Sequence, residues 1–368
     1  MIRLGVLGCG SVFWGPYMSL LEKLMFGKRV EIIAAYDPIK SKAETVAKRV
    51  GCRIAKSADE VIENKNVDVI GIFTSMNAHA PLAIAALQAG KHILVEKPMA
   101  TNLEDGKKVL KAAKKAKGKL ICAPHILLSP TYQTIYQHVQ QNTIGNVLSA
   151  RARYGWAGPW WGKWFYEPGG GSLFDLGIYN VTSLCGFMGS AKRVTAMTGV
   201  AIPERVVEGE TIKVHPDAED NAHVLIDFGQ SRFAVVTTGF TMQKYYSPAI
   251  ELYGNSGVLQ MRGDDWAPEG YELWRNAHGA WEYFPETNPT WPWTEGMRHL
   301  IECIEQDKEP LIKPEHAYHV LEIILAAKAA SKDGQAREIR SEFPAPDYSS
   351  LKTVKEKHSR RQHDPRTS

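Results

Sequence analysis

The chain contains no apolar run that approaches bilayer-spanning length, which excludes a helical membrane anchor. Cysteine is scarce among its 368 residues: Cys9, Cys52, Cys122, Cys185 and Cys303 are odd in number and widely scattered, with no CxxC or Cys/His ligand spacing. That pattern argues against a disulfide framework and a structural zinc, and the expectation is that all five are reduced and most are packing residues. Internal repeats and low-complexity tracts are absent too. So is a strong excess of one charge, because the net +4 equals the balance of the stretch from Lys352 to Ser368, six Lys/Arg against two acidic residues. The body is near neutral, so neither nucleic acid nor a membrane surface is an expected partner. The opening MIRLGVLGCG reads as a buried strand rather than a charged region leading to a cleavage site, and the expected location is cytoplasmic.

What is present is 44% apolar content over a length that favours two cores. Up to residue 124, short apolar runs (IRLGVLG, EIIAAYD, VDVIGIF, HILVEKP, KLICAP) alternate with helical stretches, one beginning near Thr101 or Asn102. Alternation of this kind predicts an α/β domain, a parallel sheet with helices on both faces. From about residue 146 strand candidates succeed one another: VLSARARYGW, RVTAMTGVAI, AHVLIDFG, SRFAVVTTGF, AIELYG, GVLQMRG and YELWRN. These predict an α+β domain over 125–345 with a large, mostly antiparallel open sheet, closed by helices near 294–306 and 314–332. A basic tail, 346–368, is expected to be disordered.

In GVLGCGSVFWG, Gly8 and Gly10 follow a strand and precede a helix, the setting of a dinucleotide-binding turn, with Ser11, Val12 and Phe13 at the helix start. Phe13 occupies the place of the third glycine in GxGxxG. Asp37 ends the second strand 27 residues after Gly10, where a carboxylate would accept both ribose hydroxyls and repel a 2′-phosphate, favouring NAD over NADP. A helix cap is the other reading of Asp37, and Lys40 offers the nearest positive charge for a 2′-phosphate.

The turn near residue 10, the acidic end of strand two, Glu96-Lys97-Pro98, and a GGG-x-L-x-D-x-G-x-Tyr stretch at 169–179 occur in this order and spacing. Together they resemble the Gfo/Idh/MocA family, the glucose–fructose oxidoreductase and inositol dehydrogenase relatives, over residues 2 to 340. The resemblance implies a Rossmann domain and a substrate domain, with Lys97 beside the nicotinamide and the reacting oxygen and a cis bond before Pro98. It implies Tyr179 as the acid/base, Asp175 on an adjacent hydroxyl, and His125 near nicotinamide or substrate unless it is a satisfied hinge residue. Thr74, Ser75, His79 and Glu96 would border the cofactor. Homo-oligomers, dimers or tetramers through the outer face of the C-terminal sheet, are the implied assembly. A lysine ammonium at the carboxyl edge of a parallel sheet can in any case stabilise an alkoxide and relay its proton.

Trp156, Trp160, Trp161 and Trp164 crowd into the nine positions 156–164, shortly before the glycines, with Lys163 among them. Indole faces stack on sugar C–H surfaces or aromatic aglycones, and these residues predict a carbohydrate or glycoside substrate contacted by Trp156, Trp161, Lys163 and Trp164. A subunit interface is the other reading of the tryptophans. The expected reaction is hydride exchange between a secondary hydroxyl and NAD. An NAD-dependent glycosidase working through transient oxidation, and a dinucleotide-binding sensor without chemistry, are the alternatives.

Overall fold

The computed structural model describes residues 1–349. They divide into two units, residues 1–125 with 292–321, and residues 126–291 with the chain from 322 onward. In the first unit β1 (Ile2–Leu7), β2 (Val30–Tyr36), β3 (Arg53–Ile54), β4 (Val69–Ile72), β5 (His92–Val95) and β6 (Leu120–Cys122) form a parallel sheet. Its order is β3-β2-β1-β4-β5-β6. β4 and β6 are buried at every residue, as strands covered on both faces must be, and this is why they read as unbroken apolar runs.

Helices α1 (Met18–Phe26), α2 (Lys40–Val50), α3 (Ala58–Ile62), α4 (Met76–Gln88) and α5 (Leu103–Lys115) make the crossovers. α5 starts where the Asn102 side chain accepts the Asp105 N–H at 2.9 Å, and acids in its first turn with lysines in its last suit the helix dipole. The sheet order reverses between β1 and β4, so the ligand crevice of such a sheet lies beyond the carboxyl ends of these two strands.

The second unit contains α6 (Pro130–Gln140), β7 (Val147–Gly155), α7 (Ile178–Met188), β8 (Arg193–Gly199), β9 (Glu204–Val207) and β10 (Glu210–Lys213). β11 (Asn221–Asp227), β12 (Phe233–Gly239), β13 (Ile250–Gly254), β14 (Gly257–Asp264), β15 (Ala267–Arg275) and β16 (Trp281–Pro285) follow. Of the two later helices, α8 (Gly296–Glu305) belongs to the first unit, α9 (Pro314–Asp333) begins in the first and ends in the second, and β17 (Arg337–Glu338) ends the regular structure. Nine strands make one mixed sheet, β16-β15-β14-β13-β7-β12-β11-β8-β17, in which only β7 and β12 run parallel, while β9 and β10 form a separate hairpin.

Strict alternation sends Ala152, Val224 and Val236 inward in one cross-strand row and leaves Met197, Leu225, Phe233 and Val235 exposed on the other face. α7 is buried at all its positions and packs on β7, β12 and β13. The start of the expected tail is instead anchored: Tyr348 is buried, donates its hydroxyl to the Leu127 carbonyl at 2.7 Å, and packs on Tyr136. One aromatic side chain thus fixes what composition alone marked as loose, and the basic stretch from Lys352 lies outside the described residues.

Candidate active site

The turn after β1 is shaped by its neighbours. At Gly8, φ is +88° and a Cβ would sit 2.6 Å from the Phe73 carbonyl carbon, so only glycine lets the chain pass over the end of β4. Around Gly10 nothing lies within 4 Å of a notional Cβ, leaving the close approach a pyrophosphate needs. Ser11 and Val12 are exposed. Phe13 turns the other way. It is fully buried, 5.6 Å from Phe73 ring to ring, in a single π-helical turn, Phe13–Tyr17, that widens the chain enough to replace the missing glycine. Its side chain is therefore a core contact and not a surface on which a cofactor could rest.

Asp37 accepts the Cys9 N–H on Oδ2 and the Ile39 N–H on Oδ1, each at 2.8 Å. Each oxygen keeps a lone pair for a ribose hydroxyl, and the carboxylate is oriented before any ligand arrives. Lys40 is exposed and paired with Glu44 at 3.2 Å. An open glycine turn, a fixed carboxylate and a free Gly10 face together fit a dinucleotide.

At the end of β5, residues 93 to 100 are all buried except Lys97. The Lys97–Pro98 peptide is cis, as expected. Glu96 accepts the Tyr17 hydroxyl on Oε1 at 2.6 Å and the Lys97 N–H on Oε2 at 3.2 Å. Since the Tyr17 proton goes to Glu96, His125 Nε2, 3.0 Å from the same oxygen, must be the donor there. His125 Nδ1 faces Gly296, where any Cβ would come within 2.3 Å. Burial lowers its pKa to about 3, with the charge of His299 adding to the effect. His125 is consequently a neutral, fully buried residue, bonded to a side chain rather than to backbone as a satisfied hinge residue would be. Its tie is to Tyr17, a residue that nothing in the sequence singled out.

His79 is buried, with Nδ1 2.7 Å from the Pro98 carbonyl and Nε2 3.0 Å from that of Thr74. Burial lowers its pKa, so the neutral ring donates through the shorter contact. It clamps the corner after Lys97 to the Thr74–Ser75 loop, where Thr74 is half-buried and Ser75 exposed.

In the second unit the glycine stretch wraps one carboxylate. Gly171 has φ +102° and a Cβ there would lie 2.6 Å from Glu219 Oε1, while at Gly170 a Cβ would meet the Phe165 carbonyl at 2.5 Å. Glu219 Oε1 accepts the Leu173 N–H at 2.9 Å and Oε2 pairs with Lys328, so a buried acid holds the start of the following turn. Leu173–Gly177 is π-helical and passes directly into α7, so Asp175 and Tyr179 lie on either side of a change in helical pitch rather than on one regular helix. Of residues 171 to 188 only Asp175 keeps partial exposure. Tyr179 meets Tyr154 edge to face at 5.9 Å, and Tyr154 shares the inward side of β7 with Ala152. That alternation was the one available signal for Tyr154.

Behind Tyr179, Asn180 Nδ2 and Ser183 Oγ donate to Oδ2 of Asp265 at 3.0 and 3.2 Å. Asp265 sits in the turn between β14 and β15, and its burial pushes its pKa up to about 7. In the tryptophan loop Trp156 is half-buried and stacks on Trp161 at 5.3 Å, while Trp164 stacks on the buried Phe165 at 3.6 Å. Lys163 is paired with Glu210 at 2.5 Å, so a sugar hydroxyl would compete with that carboxylate for it.

Comparison with known proteins decides the lineage. The profile of the oxidoreductase family with an NAD-binding Rossmann fold matches residues 2–123, and that of the GFO/IDH/MocA C-terminal domain matches residues 132–260. The chain belongs to the GFO/IDH/MocA oxidoreductase family. It is similar to an uncharacterized oxidoreductase of Streptococcus pneumoniae serotype 4, 28% identical over 71% of this chain and 68% of that one. It is also similar to scyllo-inositol 2-dehydrogenase (NADP(+)) of Bacillus subtilis, 23% identical over 90% of this chain and 94% of that one. Among solved structures, levoglucosan dehydrogenase in complex with NADH superposes with a TM-score of 0.82 at 19% identity, covering 92% of this chain and 99% of that one, and shares the fold. As a GFO/IDH/MocA enzyme the protein is an NAD(P)-dependent oxidoreductase with an NAD-binding Rossmann fold.

Proposed function

We propose that this enzyme moves a hydride between a secondary hydroxyl of a sugar, sugar derivative or glycoside and NAD, with Lys97 and Tyr179 handling the hydroxyl proton. The observation that carries the reading is selective exposure: in two otherwise buried stretches, the side chains left accessible are Lys97 and Asp175, and Tyr179 follows Asp175 by four residues. The two charges avoid the cost of full burial while their neighbours fix the backbone that carries them, which leaves an ammonium and a carboxylate within reach of a ligand. The names of relatives agree in substrate class, for they include inositol dehydrogenases and a 1,5-anhydro-D-fructose reductase.

In the oxidative direction Tyr179, entering the step as its phenolate, accepts the hydroxyl proton and becomes the phenol, while the Lys97 ammonium stabilises the developing alkoxide. Asp175 accepts a hydrogen bond from the neighbouring hydroxyl and fixes the ring. Glu96 and His79 act on Lys97 from behind by holding its backbone corner, and Asp37 selects the dinucleotide without a 2′-phosphate, Lys40 being engaged with Glu44. The nicotinamide, when bound, takes up the hydride. His125 is outside this scheme as a reacting group, and Phe13 outside the cofactor contacts. The exposed apolar side chains Met197, Leu225, Phe233 and Val235 are the surface through which copies of the chain would associate.

A panel of free sugars, inositols and glycosides incubated with NAD⁺ or NADP⁺, followed by absorbance of the reduced nicotinamide, tests the reading. Oxidation of at least one class with NAD⁺ preferred is the expected result, and no reduction of either cofactor across the panel would refute it.

A further inference from the structure

The tryptophan loop of the second unit is more rigidly built than a surface loop needs to be. Three of its backbone carbonyls are taken: Arg205 donates to Ala157 at 2.7 Å, the Tyr166 hydroxyl to Pro159 at 2.8 Å, and the Glu208 N–H to Trp160 at 2.8 Å. Phe165 and Tyr166 pin it into a buried cluster with Phe240 and Val207. What this scaffold presents to solvent is Trp160, Trp161 and Trp164, which stay 66%, 40% and 42% exposed. The Trp160 and Trp161 rings stand 5.6 Å apart at 89°, so two indole faces form a right-angled corner.

A corner of this shape suits a flat aromatic ring better than a pyranose. A planar guest can lie on one indole and offer its edge to the other, the two arrangements aromatic pairs prefer. Recognition there is by area, because the nearby Lys163 is engaged with Glu210. The corner also connects to the chemistry. Trp156, stacked on Trp161, packs against the same buried cluster as Tyr154, and Tyr154 contacts Tyr179. We infer that the corner of Trp160 and Trp161 is an aglycone subsite, and that the substrate is a glycoside bearing a flat aromatic aglycone. This rests on the sugar reading above and narrows it.

Calorimetric titration of the full-length, NADH-loaded protein, which cannot oxidise a glycoside, tests the subsite with phenyl and methyl glycosides paired in the gluco, galacto and xylo series. The phenyl member of at least one pair should bind tenfold or more tightly than the methyl one. That preference should fall below threefold in Trp160→Ala and in Trp161→Ala. Trp160→Ala loses little buried area and should fold like the parent, and the thermal midpoint and oligomeric state of both variants are checked alongside. Equal binding of phenyl and methyl glycosides, a preference that survives both substitutions, or binding of neither overturns the subsite. Dissociation of an oligomer on Trp160→Ala also overturns it, and makes the corner an interface. Sugar oxidation without an aryl preference would sink the subsite alone, whereas an aryl preference without any NADH formation in the substrate panel would sink hydride transfer alone.

Discussion

Replacing Asp265 by Asn should stabilise the protein, and only above acidic pH. The Asp265 carboxyl is buried, receives one hydrogen bond from Asn180 and one from Ser183, and has no partner on Oδ1 among the described residues. Burial, with the charge of Asp264 beside it, raises its pKa from 3.8 to about 7. A carboxyl whose folded value is raised supports the fold fully below its unfolded value, and that support is lost as pH climbs from near 4 to near 7. At about 1.4 kcal/mol per unit, the ionised form costs on the order of 4 kcal/mol at pH 8. Asn cannot ionise and its amide oxygen still accepts from Asn180 and Ser183. Urea unfolding of parent and variant between pH 4 and pH 8 should therefore show near-equal stability at the acid end and a growing advantage for Asp265→Asn, saturating above pH 7. A difference that stays constant across this range, or a variant less stable at pH 8, would refute the reasoning. The result bears on chemistry too, since these bonds fasten the first turns of α7, the helix of Tyr179.

Lys97→Ala should leave NAD⁺ affinity within about threefold by calorimetry while turnover falls by about a hundredfold or more, the range of a lost proton-transfer and charge-stabilising group. Retained turnover would remove Lys97 from the mechanism. Asp37→Ser should narrow the preference for NAD⁺ over NADP⁺ by about tenfold in kcat/KM, read from initial rates, because the repelling carboxylate is gone while a hydroxyl can still meet the ribose. Gly171→Ala forces φ +102° on alanine and drives its methyl into Glu219, and a loss of about 2–4 kcal/mol in denaturant unfolding is expected.

How much of this could be read in the chain follows from burial on each side. β1, β2, β4, β5 and β6 stood out because strands covered on both faces carry near-continuous apolar runs, broken here only near their starts by Arg3, Glu31 and His92. β3 has two residues, one of them exposed, and the β9–β10 hairpin is largely polar and open to solvent, so neither left a hydrophobic trace. The helix of Tyr179 was visible, but its π-helical start was not, because one extra residue per turn leaves the residue types unchanged. Lys97, Asp175 and Asp37 were legible as motif positions. Tyr17, Glu219 and Asp265 were not, because each acts through a partner between 46 and 108 residues away or across a hairpin, and no local spacing encodes such a pairing. Phe13 and His125 were assigned by position within motifs, whereas their packing, on Phe73 and against Gly296, is set by tertiary neighbours.

The most direct test of the proton-transfer claim is the pH profile of kcat/KM for parent and Tyr179→Phe on the best substrate of the panel, with NAD⁺ saturating. Removal of the phenolic hydroxyl should cut the rate by about a hundredfold or more and abolish the limb that rises with pH. A variant that kept both the rate and that limb would show that another group takes the proton.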